Sequence, residues 1–578
     1  MKIRRLDVRN FRGIKELAWT IGGDYVCLVG PGDSTKSTVL DAIELVLSPR
    51  WNISFYDSDF YLGDVTDPLV IRATVGDIPD ELLSESKFGL RLRGWSGSGE
   101  LHDEPETEDE PVLSIELRVD ASLEPAWYVV NDREASGARI SADDRARLGV
   151  GRLGALVDRH FTWAKGSVLS RVTGKVDDIN RMLAEAGRAA RVRMREGHHP
   201  LLTLAAKRAQ ETGASLGVRP LIAYQPHLDA EAITPGVGGL ALHDGDVPVR
   251  RAGLGTRRLL AVGLQFEASR DRATTLIDEI EHGLEPHRIR QLIHVLRSGL
   301  TVHRDVGANA STTEDLKPSQ VFMTTHSRVA VAELRATELR VVRSAGGTTW
   351  ILDVPTQLQA LVRSNPEALL GRRIVVCEGK TELGLCRALD LAWQQSGPAF
   401  AYAGVVLADG GGTNAPSVSR SFRTLGFEVS LLADTDVPLA PDANELSQAG
   451  VQTILWDGGV AVEERIMLDL PWVGVVDVVK YAADLRGLES ARDAIATKLG
   501  VTGPILGNDI AAWLQTAGKT EREIRVAAGK AAKGGNWFKR VDLAEELGRI
   551  VVVHLGTVPT TDLATKIGQL KTWAHGNS

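Results

Sequence analysis

The sequence predicts an α/β protein built from two successive sheet-containing domains. Short apolar runs that suit buried strands, such as Tyr25–Val29 and Arg373–Cys377, alternate with helical stretches. From about residue 144 to residue 215 the chain becomes Ala- and Arg-rich and helical, which interrupts the first series of strands. We therefore expect a first α/β domain at 1–143 and 216–360, a helical insertion at 144–215, and a second α/β domain with a helical addition at 368–578.

The composition is that of an ordinary globular protein. The chain has 578 residues, 43% of them hydrophobic, and a formal net charge of −8, which excludes wholesale disorder. It has no apolar run long enough to span a membrane and no signal-peptide core at the N-terminus, so we expect a cytoplasmic protein. Three scattered cysteines exclude a zinc ribbon or a disulfide scaffold. The acidic total does not exclude nucleic acid, because binding depends on local charge and bound metal ions.

The first domain opens with strands and one amphipathic helix. The helix is predicted at Thr38–Leu47, which carries apolar residues on one face and stops before Pro49. The acidic run at residues 104–110 is interpreted as a solvated loop. The predicted strands are Ile3–Val8, Tyr25–Val29, Pro68–Val75, Val112–Val119 and Trp127–Val130.

The sheet pattern resumes after the helical insertion. Arginines 188, 191, 193 and 195 of the insertion fit either a solvated helix face or a contact with DNA or a second subunit. Residues 307–317 are predicted as a polar surface loop, and residues 353–370 as a linker between the domains. The strands predicted here are Arg219–Tyr224, Ala273–Asp278 and Gln320–His326, whose alternation with helices is typical of a doubly wound parallel sheet.

A phosphate-binding loop is predicted at Gly30–Thr38, between a strand and a helix. Backbone N–H groups at a helix start bind phosphates, helped by the positive end of the helix dipole. Lys36 would reach the β and γ phosphates of ATP, and the Ser37 hydroxyl would hold one Mg²⁺. Thr35 departs from the usual glycine and restricts the approach of the backbone to the phosphate. The expected nucleotide-binding residues of the loop are Gly30, Asp33, Ser34, Lys36, Ser37 and Thr38.

Matching parts of a nucleotide site follow downstream. An apolar strand ends in Asp278, which would contact the Mg²⁺ shell, and Glu279, which would polarise the attacking water. The next strand ends at His326, which suits a contact with the γ phosphate. Gly253 and Gly255 open a helix just before the acidic strand. A single histidine at a strand end is more often structural, but the ordered set of elements predicts ATP binding.

This order resembles the ABC-type ATPases, in the branch that contains chromosome-maintenance and DNA-repair proteins; the opening MKIRRLDVRNFRGI is similar to that branch. The resemblance implies that Gly253 and Gly255 of one subunit close on the ATP of another. The chain would then work as a homodimer or a higher even oligomer. Asp59 would be a weaker candidate for the position that links the metal to the helical subdomain.

Four acidic residues mark a second site. Glu378 follows a buried strand, and Glu382 comes one turn into the next helix. Asp434 and Asp436 end a later strand and point to one side of an extended backbone. Two unit charges about 4 Å apart repel by roughly 4 kcal/mol at an effective dielectric of about 20, so the cluster calls for cations. Oxygen ligands suit Mg²⁺ or Mn²⁺ rather than zinc, although each pair alone also fits a solvated strand end.

The pattern Glu378-Gly-Lys-Thr-Glu382 with a later Asp434-x-Asp436 resembles the Toprim domain. An ABC-type ATPase joined to a C-terminal Toprim domain is similar to the OLD (overcoming lysogenization defect) nuclease family, and the likeness covers nearly the whole chain. It implies two metal ions held by Glu378, Glu382, Asp434, Asp436 and Glu463. Glu464 is a less favoured ligand. Ala461 stands where family members often have a serine, so the hydroxyl contact of that serine is missing here.

The resemblance also implies a function. Glu378 would serve in catalysis, and Lys539, after Trp537 and Phe538, would stabilise the scissile phosphate; a surface lysine beside an aromatic contact is the alternative. The expected activity is ATP-regulated cutting of DNA, with RNA left open, in antiphage defence or DNA processing. Some family members need a helicase partner and others act alone.

Two other functions are weighed against the nuclease. The first is a DNA-bound ATPase scaffold whose carboxylate domain binds nucleic acid without cutting it. The second, a topoisomerase, needs a tyrosine nucleophile on a DNA-gating domain, and the chain has only seven tyrosines and no evident domain of that kind.

Overall fold

The computed structural model describes residues 1–575 apart from short gaps, and it confirms the predicted mixed α/β fold. The gaps are 135, 155–156, 165–166, 174–176, 198–199, 216–217, 219, 227–239, 269–273, 306–310, 317–319, 396 and 398.

The strands are β1 (Lys2–Phe11), β2 (Ile14–Thr20), β3 (Tyr25–Val29), β4 (Leu69–Gly76), β5 (Arg93–Trp95), β6 (Leu101–His102), β7 (Glu110–Val119), β8 (Pro125–Val130), β9 (Ala138–Arg139), β10 (Val150–Leu153), β11 (His243–Asp244), β12 (Val247–Pro248), β13 (Thr274–Ile277), β14 (Leu300–Asp305), β15 (Ser311–Leu316), β16 (Gln320–Thr324), β17 (Leu339–Ala345), β18 (Thr348–Asp353), β19 (Arg373–Cys377), β20 (Val405–Asp409), β21 (Glu428–Ala433) and β22 (Val451–Leu455).

The helices are α1 (Lys36–Val46), α2 (Asp80–Leu83), α3 (Ala142–Ala146), α4 (Val168–Thr173), α5 (Asp177–Glu196), α6 (Pro200–Ser215), α7 (Leu254–Ala268), α8 (Pro286–Ser298), α9 (Arg328–Glu333), α10 (Gln359–Ser364), α11 (Lys380–Trp393), α12 (Ala415–Thr424), α13 (Ala443–Gln448), α14 (Val462–Asp469), α15 (Trp472–Arg486), α16 (Leu488–Leu499), α17 (Gly503–Leu506), α18 (Trp513–Thr516), α19 (Glu521–Gly534), α20 (Val541–Leu555) and α21 (Asp562–His575).

The first domain is organised around one large mixed sheet. Its strand order is β10-β13-β16-β3-β17-β18-β2-β1-β4-β7-β5-β6, and β8 pairs with β7 on one side and β9 on the other. The strands β10, β13, β16, β3 and β17 run parallel, and most pairs beyond β18 are antiparallel. The parallel part places the carboxyl ends of β3, β13 and β16 at one edge, where the loops that follow them meet.

The second domain contains a four-stranded parallel sheet with the order β20-β19-β21-β22. The central strand β19 pairs with β20 on one side and β21 on the other. Its side chains from Ile374 to Cys377 are fully buried, as expected for a strand covered on both faces. The carboxyl ends of β19 and β21 therefore lie side by side, and helices α14 to α21 form the predicted helical addition.

The predicted linker at residues 353–370 is a packed connection rather than an extended one. It forms α10 and two short 3₁₀ turns, and it buries Leu358, Leu361 and Leu369. These side chains belong to one apolar core that extends from Phe161 of the first domain to Phe427 of the second. Burial on this scale couples the two domains mechanically.

Two predictions about single segments are corrected by the described residues. Residues 220–226 form no strand, and Leu221 and Ile222 are exposed, because no neighbouring sheet covers this apolar run. The predicted loop at 307–317 contains β15, which pairs antiparallel with β14; its β-branched Thr312 and Thr313 favour extended backbone although they are polar.

The predicted insertion at 144–215 contains a strand of the large sheet. Within that range β10 pairs with β13, so the purely helical segment begins only at Val168. Arg188 and Arg193 of α5 are exposed. Over the described part of the chain, no helix is long and apolar enough to cross a membrane.

Candidate functional site

The phosphate-binding loop connects β3 to α1, as predicted. Gly30 has φ 145°, and an added Cβ there would lie 2.7 Å from the carbonyl oxygen of Val342, so only glycine fits. Lys36 folds back over the loop and donates hydrogen bonds to the Gly30 and Pro31 carbonyls at 3.1 and 2.7 Å and to Ser34 Oγ at 3.0 Å. Ser37 and Thr38 lie in the first turn of α1. A phosphate would replace these weaker acceptors with a charged one.

Burial lowers the pKa of Lys36 to about 8, and the nearby carboxylates of Asp278 and Asp33 oppose this effect. An anionic phosphate beside the ammonium group would favour its charged form further. The electrostatics of the loop therefore fit a bound nucleotide.

Two residues of the loop adopt the left-handed backbone region without being glycine. Asp33 has φ 58° and Thr35 has φ 66°. The Thr35 hydroxyl donates to the Ser34 carbonyl at 2.6 Å and lies 3.2 Å from the Thr349 hydroxyl. Backbone strain of this kind is concentrated at functional sites.

Asp278 sits beside the loop at the carboxyl end of β13. Its Oδ1 accepts hydrogen bonds from Ser37 Oγ at 3.0 Å and from Thr324 Oγ1 at 2.6 Å. Arg152 of β10 donates from Nη2 to Asp278 Oδ2 at 3.0 Å and also contacts Asp41 and Glu44. The Ser37 hydroxyl and the Asp278 carboxylate are the donor set expected around an ATP-bound Mg²⁺, so the residues present fit that ion.

The residues that follow Asp278 are fixed by a buried network. Glu279 has φ 48°, and its N–H donates to Thr324 Oγ1 at 2.8 Å. Arg258, which is 1% exposed, donates to the Glu279 carbonyl at 2.7 Å and also contacts the Asp278 carbonyl. The Glu279 carboxylate lies outside these hydrogen bonds, with Oε2 3.7 Å from His282 Nδ1, and its role in water activation stays a prediction.

His326 follows β16 and is exposed. Its backbone N–H donates to Glu281 Oε1 at 2.7 Å, so Glu281 ties the end of β16 to the turn after β13. Partial burial and the neighbouring Lys36 lower the pKa of His326. The imidazole therefore shares the electrostatic environment of Lys36, as the predicted γ-phosphate contact requires.

The glycines before β13 lie at the start of α7, as predicted. Gly253 is exposed and Gly255 is buried, with an added Cβ 2.9 Å from the Gly283 carbonyl oxygen. Their action on the nucleotide of a second subunit stays a prediction. Asp59 accepts a hydrogen bond from Arg12 Nε at 2.9 Å, and its link to a metal likewise stays a prediction.

The predicted carboxylates of the second domain converge at the shared edge of β19 and β21. Glu378 Oε2 accepts a hydrogen bond from the Asp434 N–H at 2.7 Å, which joins the ends of the two strands. Asp434 Oδ1 in turn accepts from the Val462 N–H at 2.9 Å. Glu382, in the first turn of α11, is 4% exposed and accepts from the Gly379 N–H at 2.8 Å. Residues about 80 positions apart in the chain thus form one carboxylate cluster.

Glu463 and Glu464 of α14 are held by different partners. Glu463 is 3% exposed and accepts a hydrogen bond from Thr381 Oγ1 at 3.1 Å. Glu464 instead accepts from the Ala461 N–H at 3.1 Å. Glu463 is therefore the more buried member of the pair, and its preference over Glu464 as a metal ligand stays a prediction.

Two lysines face the carboxylate cluster. Lys533 of α19 contacts Asp436 and lies 3.5 Å from Glu464 Oε2. Lys539 is exposed after the buried Trp537 and Phe538, and its charge acts on Glu463. A positive rim beside buried carboxylates is suited to an anionic substrate.

The carboxylate cluster is electrostatically unfavourable without cations. Burial, followed by the charge of neighbouring carboxylates, raises the pKa of Glu382 to about 8 and that of Asp434 to about 9. Burial also raises the pKa of Glu463. Within the part of the chain that the structure describes, however, no group of three or more His, Cys, Asp or Glu side chains is arranged closely enough to hold a metal. The hydrogen bonds described above hold these carboxylates instead.

Sequence reasoning missed three side chains of these sites, namely Arg152, Arg258 and Lys533. Arg152 neutralises Asp278 from a strand that sequence reasoning assigned to the helical insertion. Arg258 follows the glycine-rich helix start by a few residues and was visible only as one of several arginines. Lys533 stands six positions before Lys539 near the end of α19, and nothing in its local sequence indicates the contact with Asp436.

Comparison with known proteins supports the ATPase part of the chain. Residues 235–332 match the family model described as "AAA domain, putative AbiEii toxin, Type IV TA system". This segment contains Gly253, Gly255, Asp278, Glu279 and His326. No curated protein matches the chain.

The chain is also similar to solved SMC head domains. An SmcHead bound to the C-winged helix domain of ScpA shares 16% identity over 61% of this chain and 97% of its own, with a TM-score of 0.33. The SMC head domain from Thermotoga maritima shares 12% identity over 61% of this chain and 100% of its own, with a TM-score of 0.29. A third structure is the Smc head domain with an extended coiled coil bound to the C-terminal domain of ScpA derived from Pyrococcus furiosus. It shares 12% identity over 61% of this chain and 95% of its own, with a TM-score of 0.31.

The match to the AAA-domain model thus supports an ATPase-type segment at residues 235–332, which carries the acidic strand end that contacts the phosphate-binding loop. The large mixed sheet and the helical C-terminal region confirm the predicted α/β fold class, and the ABC-type assignment of the first domain stays a prediction. The Toprim assignment of the second domain stays a prediction.

Proposed function

We propose that this protein is an ATP-binding, two-metal-dependent DNA endonuclease of the OLD type, active in antiphage defence or DNA processing. The observation that carries the proposal is the carboxylate cluster of Glu378, Glu382, Asp434, Asp436 and Glu463 at one sheet edge, next to two lysines.

The donor chemistry of the carboxylate cluster fits divalent cations. Its candidate ligands are all oxygens, which suits Mg²⁺ or Mn²⁺. The raised pKa values of Glu382 and Asp434 mean that their charged forms are unfavourable here, and bound cations would stabilise those charged forms. Two bound ions would supply an activated water and stabilise the leaving oxygen of a phosphodiester. Glu378 and Asp434 would hold ions between two strand ends, while Glu382 and Glu463 would do so from the first turns of two helices.

The lysines have a separate role in the proposal. Lys539 is exposed and near Glu463, so its ammonium group would contact the scissile phosphate. Lys533, held by Asp436, would position that carboxylate. Since the rest of the protein is acidic, DNA binding should depend on this local charge and weaken with salt.

ATP would regulate the cut through the first domain. The apolar core shared by both domains provides a rigid connection from the phosphate-binding loop to the second sheet. Closure of two subunits on ATP would then change the geometry of the carboxylate domains, with no need for hydrolysis to drive the cut.

The nuclease is tested by incubating supercoiled plasmid and Mg²⁺ or Mn²⁺ with the wild type, Glu378→Ala and Glu489→Ala. Glu489 is an exposed acid of α16 that is not part of the carboxylate cluster and serves as the matched control. We expect cutting by the wild type and the control, and at least a hundredfold loss in the Glu378 variant. Equal cutting by both variants contradicts the nuclease assignment.

A second candidate is a DNA-bound ATPase scaffold. It is favoured by the absence of a preformed metal-binding group among the described residues and by the hydrogen bonds that already satisfy the carboxylates. Metal-dependent binding of one DNA molecule per site without any nicking would support this candidate instead.

A further inference from the structure

A cavity of about 910 Å³ lies where the first domain meets the second. Its wall includes Pro31 and Ser34 of the phosphate-binding loop, Trp350 of β18, and Arg420 of α12. The volume is in the range of small-molecule sites, which is about 300–1,000 Å³. The cavity is therefore large enough for a nucleotide and is built by both domains.

The cavity is strongly positive. Four guanidinium groups line it, those of Arg343, Arg372, Arg420 and Arg423. Two carboxylates also line it, those of Asp33 and Glu428, and Glu428 already accepts a hydrogen bond from Arg373 at 2.6 Å. Among described residues, no carboxylate oxygen lies within the 4.0 Å of an ion pair from any of the four. The four lining guanidinium groups exceed the two lining carboxylates by two positive charges, which favours an anion in the cavity.

Arg343 is the least satisfied of the four arginines. Its Nε and Nη2 are buried and have no hydrogen-bond partner among the described residues, and its guanidinium carbon lies 3.6 Å from the centre of the Phe427 ring. Burial lowers its pKa to about 10. The stacking contact fixes the plane of the guanidinium, so its free N–H groups are preorganised for an oxygen ligand.

The other arginines differ in how they are held. Arg423 donates to the carbonyls of Phe427 at 3.1 Å and Ala449 at 3.3 Å, which anchors it at the cavity. Arg420 is exposed and makes no side-chain hydrogen bond or ion pair with a described residue. Trp350 is 45% exposed and offers a flat apolar face.

The cavity is distinct from the site where the loop would hold the phosphates of ATP. Lys36, Ser37, Asp278 and His326, which form that site, do not line the cavity. Only residues 31–34, the start of the loop, are shared. Of the residues expected to bind ATP, Asp33 and Ser34 line the cavity as well, so a ligand there would contact the start of the loop but not Lys36 or Ser37.

We propose that this cavity is a second nucleotide site, which binds a nucleoside polyphosphate with its phosphates on Arg343, Arg420 and Arg423 and its base against Trp350. Bidentate guanidinium–phosphate contacts and stacking on an indole ring provide the recognition. Because the ligand would contact the phosphate-binding loop and α12 together, its binding would link the state of the ATP site to the second domain. The inference concerns binding alone and does not depend on the nuclease proposal.

The test measures binding of radiolabelled ATP to the full chain by equilibrium dialysis, with Lys36→Ala used to remove binding at the loop. We expect Lys36→Ala to keep one ATP per chain. Adding Arg420→Gln should weaken this remaining binding by about tenfold or more, because a charge-assisted contact is lost. Adding Arg363→Gln, an exposed arginine of α10 outside the cavity, should leave it unchanged.

Other results overturn the proposal. The first is loss of all ATP binding in a Lys36→Ala variant whose circular dichroism spectrum and melting temperature match those of the wild type. The second is equal residual ATP binding in the two double variants, the one with Arg420→Gln and the one with Arg363→Gln. Trp350→Ala provides an independent variant and should also weaken the residual binding. If a single-stranded oligonucleotide binds in an Arg420-dependent way and ATP does not, the cavity is a nucleic-acid site and the nucleotide proposal fails.

Discussion

At the scale of single residues, Thr35 shows how the phosphate-binding loop departs from its usual form. Its φ of 66° and ψ of 12° lie in the left-handed region, which costs a β-branched residue about 1–2 kcal/mol. We expect Thr35→Gly to raise the free energy of unfolding by about 1 kcal/mol, since part of the relief is offset by the entropy of glycine in the unfolded chain. Urea denaturation measures this, and Thr35→Ala, which keeps the strained Cβ, is the control.

The same substitution bears on ATP binding. Glycine removes the side chain that restricts the approach of the backbone to the phosphate, so we expect Thr35→Gly to bind ATP more tightly than Thr35→Ala in calorimetric titrations. Weaker binding by the glycine variant would show that the Thr35 hydroxyl, which contacts Ser34 and lies near Thr349, assists the nucleotide.

A second residue-scale prediction concerns His160, which is 2% exposed. Burial, followed by the charges of Arg159 and Arg171, lowers the pKa of His160 to about 4. The unfolded chain, with a His pKa of about 6.5, takes up a proton first as the pH falls, so stability present above pH 6.5 is lost towards pH 4. Between pH 7 and pH 5 this amounts to about 2 kcal/mol.

The His160 prediction is checked by the difference between the wild type and His160→Gln in urea denaturation at the two pH values. We expect the wild type to lose more stability than the variant on acidification. An identical loss in both proteins means that other groups account for the pH dependence.

At the scale of elements, the packing of α11 against α20 depends on glycine. An added Cβ at Gly384 would lie 2.4 Å from Ala544 Cβ and 2.6 Å from the Val541 carbonyl oxygen, so the helices would have to separate. We expect Gly384→Ala to lower the free energy of unfolding by about 1–3 kcal/mol. Because α11 also carries Glu382, the same change should impair the carboxylate cluster.

Gly568 of α21 is the matched control for Gly384. An added Cβ there meets no atom within 4 Å, so Gly568→Ala should raise stability by up to about 1 kcal/mol through helix propensity. Thermal unfolding measures the stability of both variants. Equal changes in melting temperature for Gly384→Ala and Gly568→Ala would contradict the close packing of α11 against α20.

At the scale of the whole molecule, the carboxylate cluster sets a balance between stability and metal binding. Burial and neighbouring carboxylates raise the pKa of Asp434 to about 9, so its presence destabilises the metal-free protein at neutral pH. We expect Asp434→Asn to raise the melting temperature without metal and to abolish the further rise that Mn²⁺ causes in the wild type. Asp484→Asn, an exposed residue of α15, should behave like the wild type. A Mn²⁺ shift retained in the Asp434 variant argues against this site.

The local features of the protein follow from sequence alone. The loop from Gly30 to Thr38 and the carboxylates at the ends of β19 and β21 were predictable, because apolar strands, glycine turns and helix starts depend on neighbouring residues. The apolar pattern predicts a strand wrongly at residues 220–226, which pair with no strand among the described residues. It also misses polar strands that pair with each other, as in β14 and β15.

The tertiary structure determines which residues contact these local features. It placed Arg152 beside Asp278 and Lys533 beside Asp436, packed the segment at 353–370 into a common core, and enclosed a basic cavity between the domains. Contacts of this kind join residues about 100 positions apart, and they depend on the order of strands in a sheet and on helix packing. Local periodicity carries no information about either, so charge neutralisation and cavities appear only once the chain is folded.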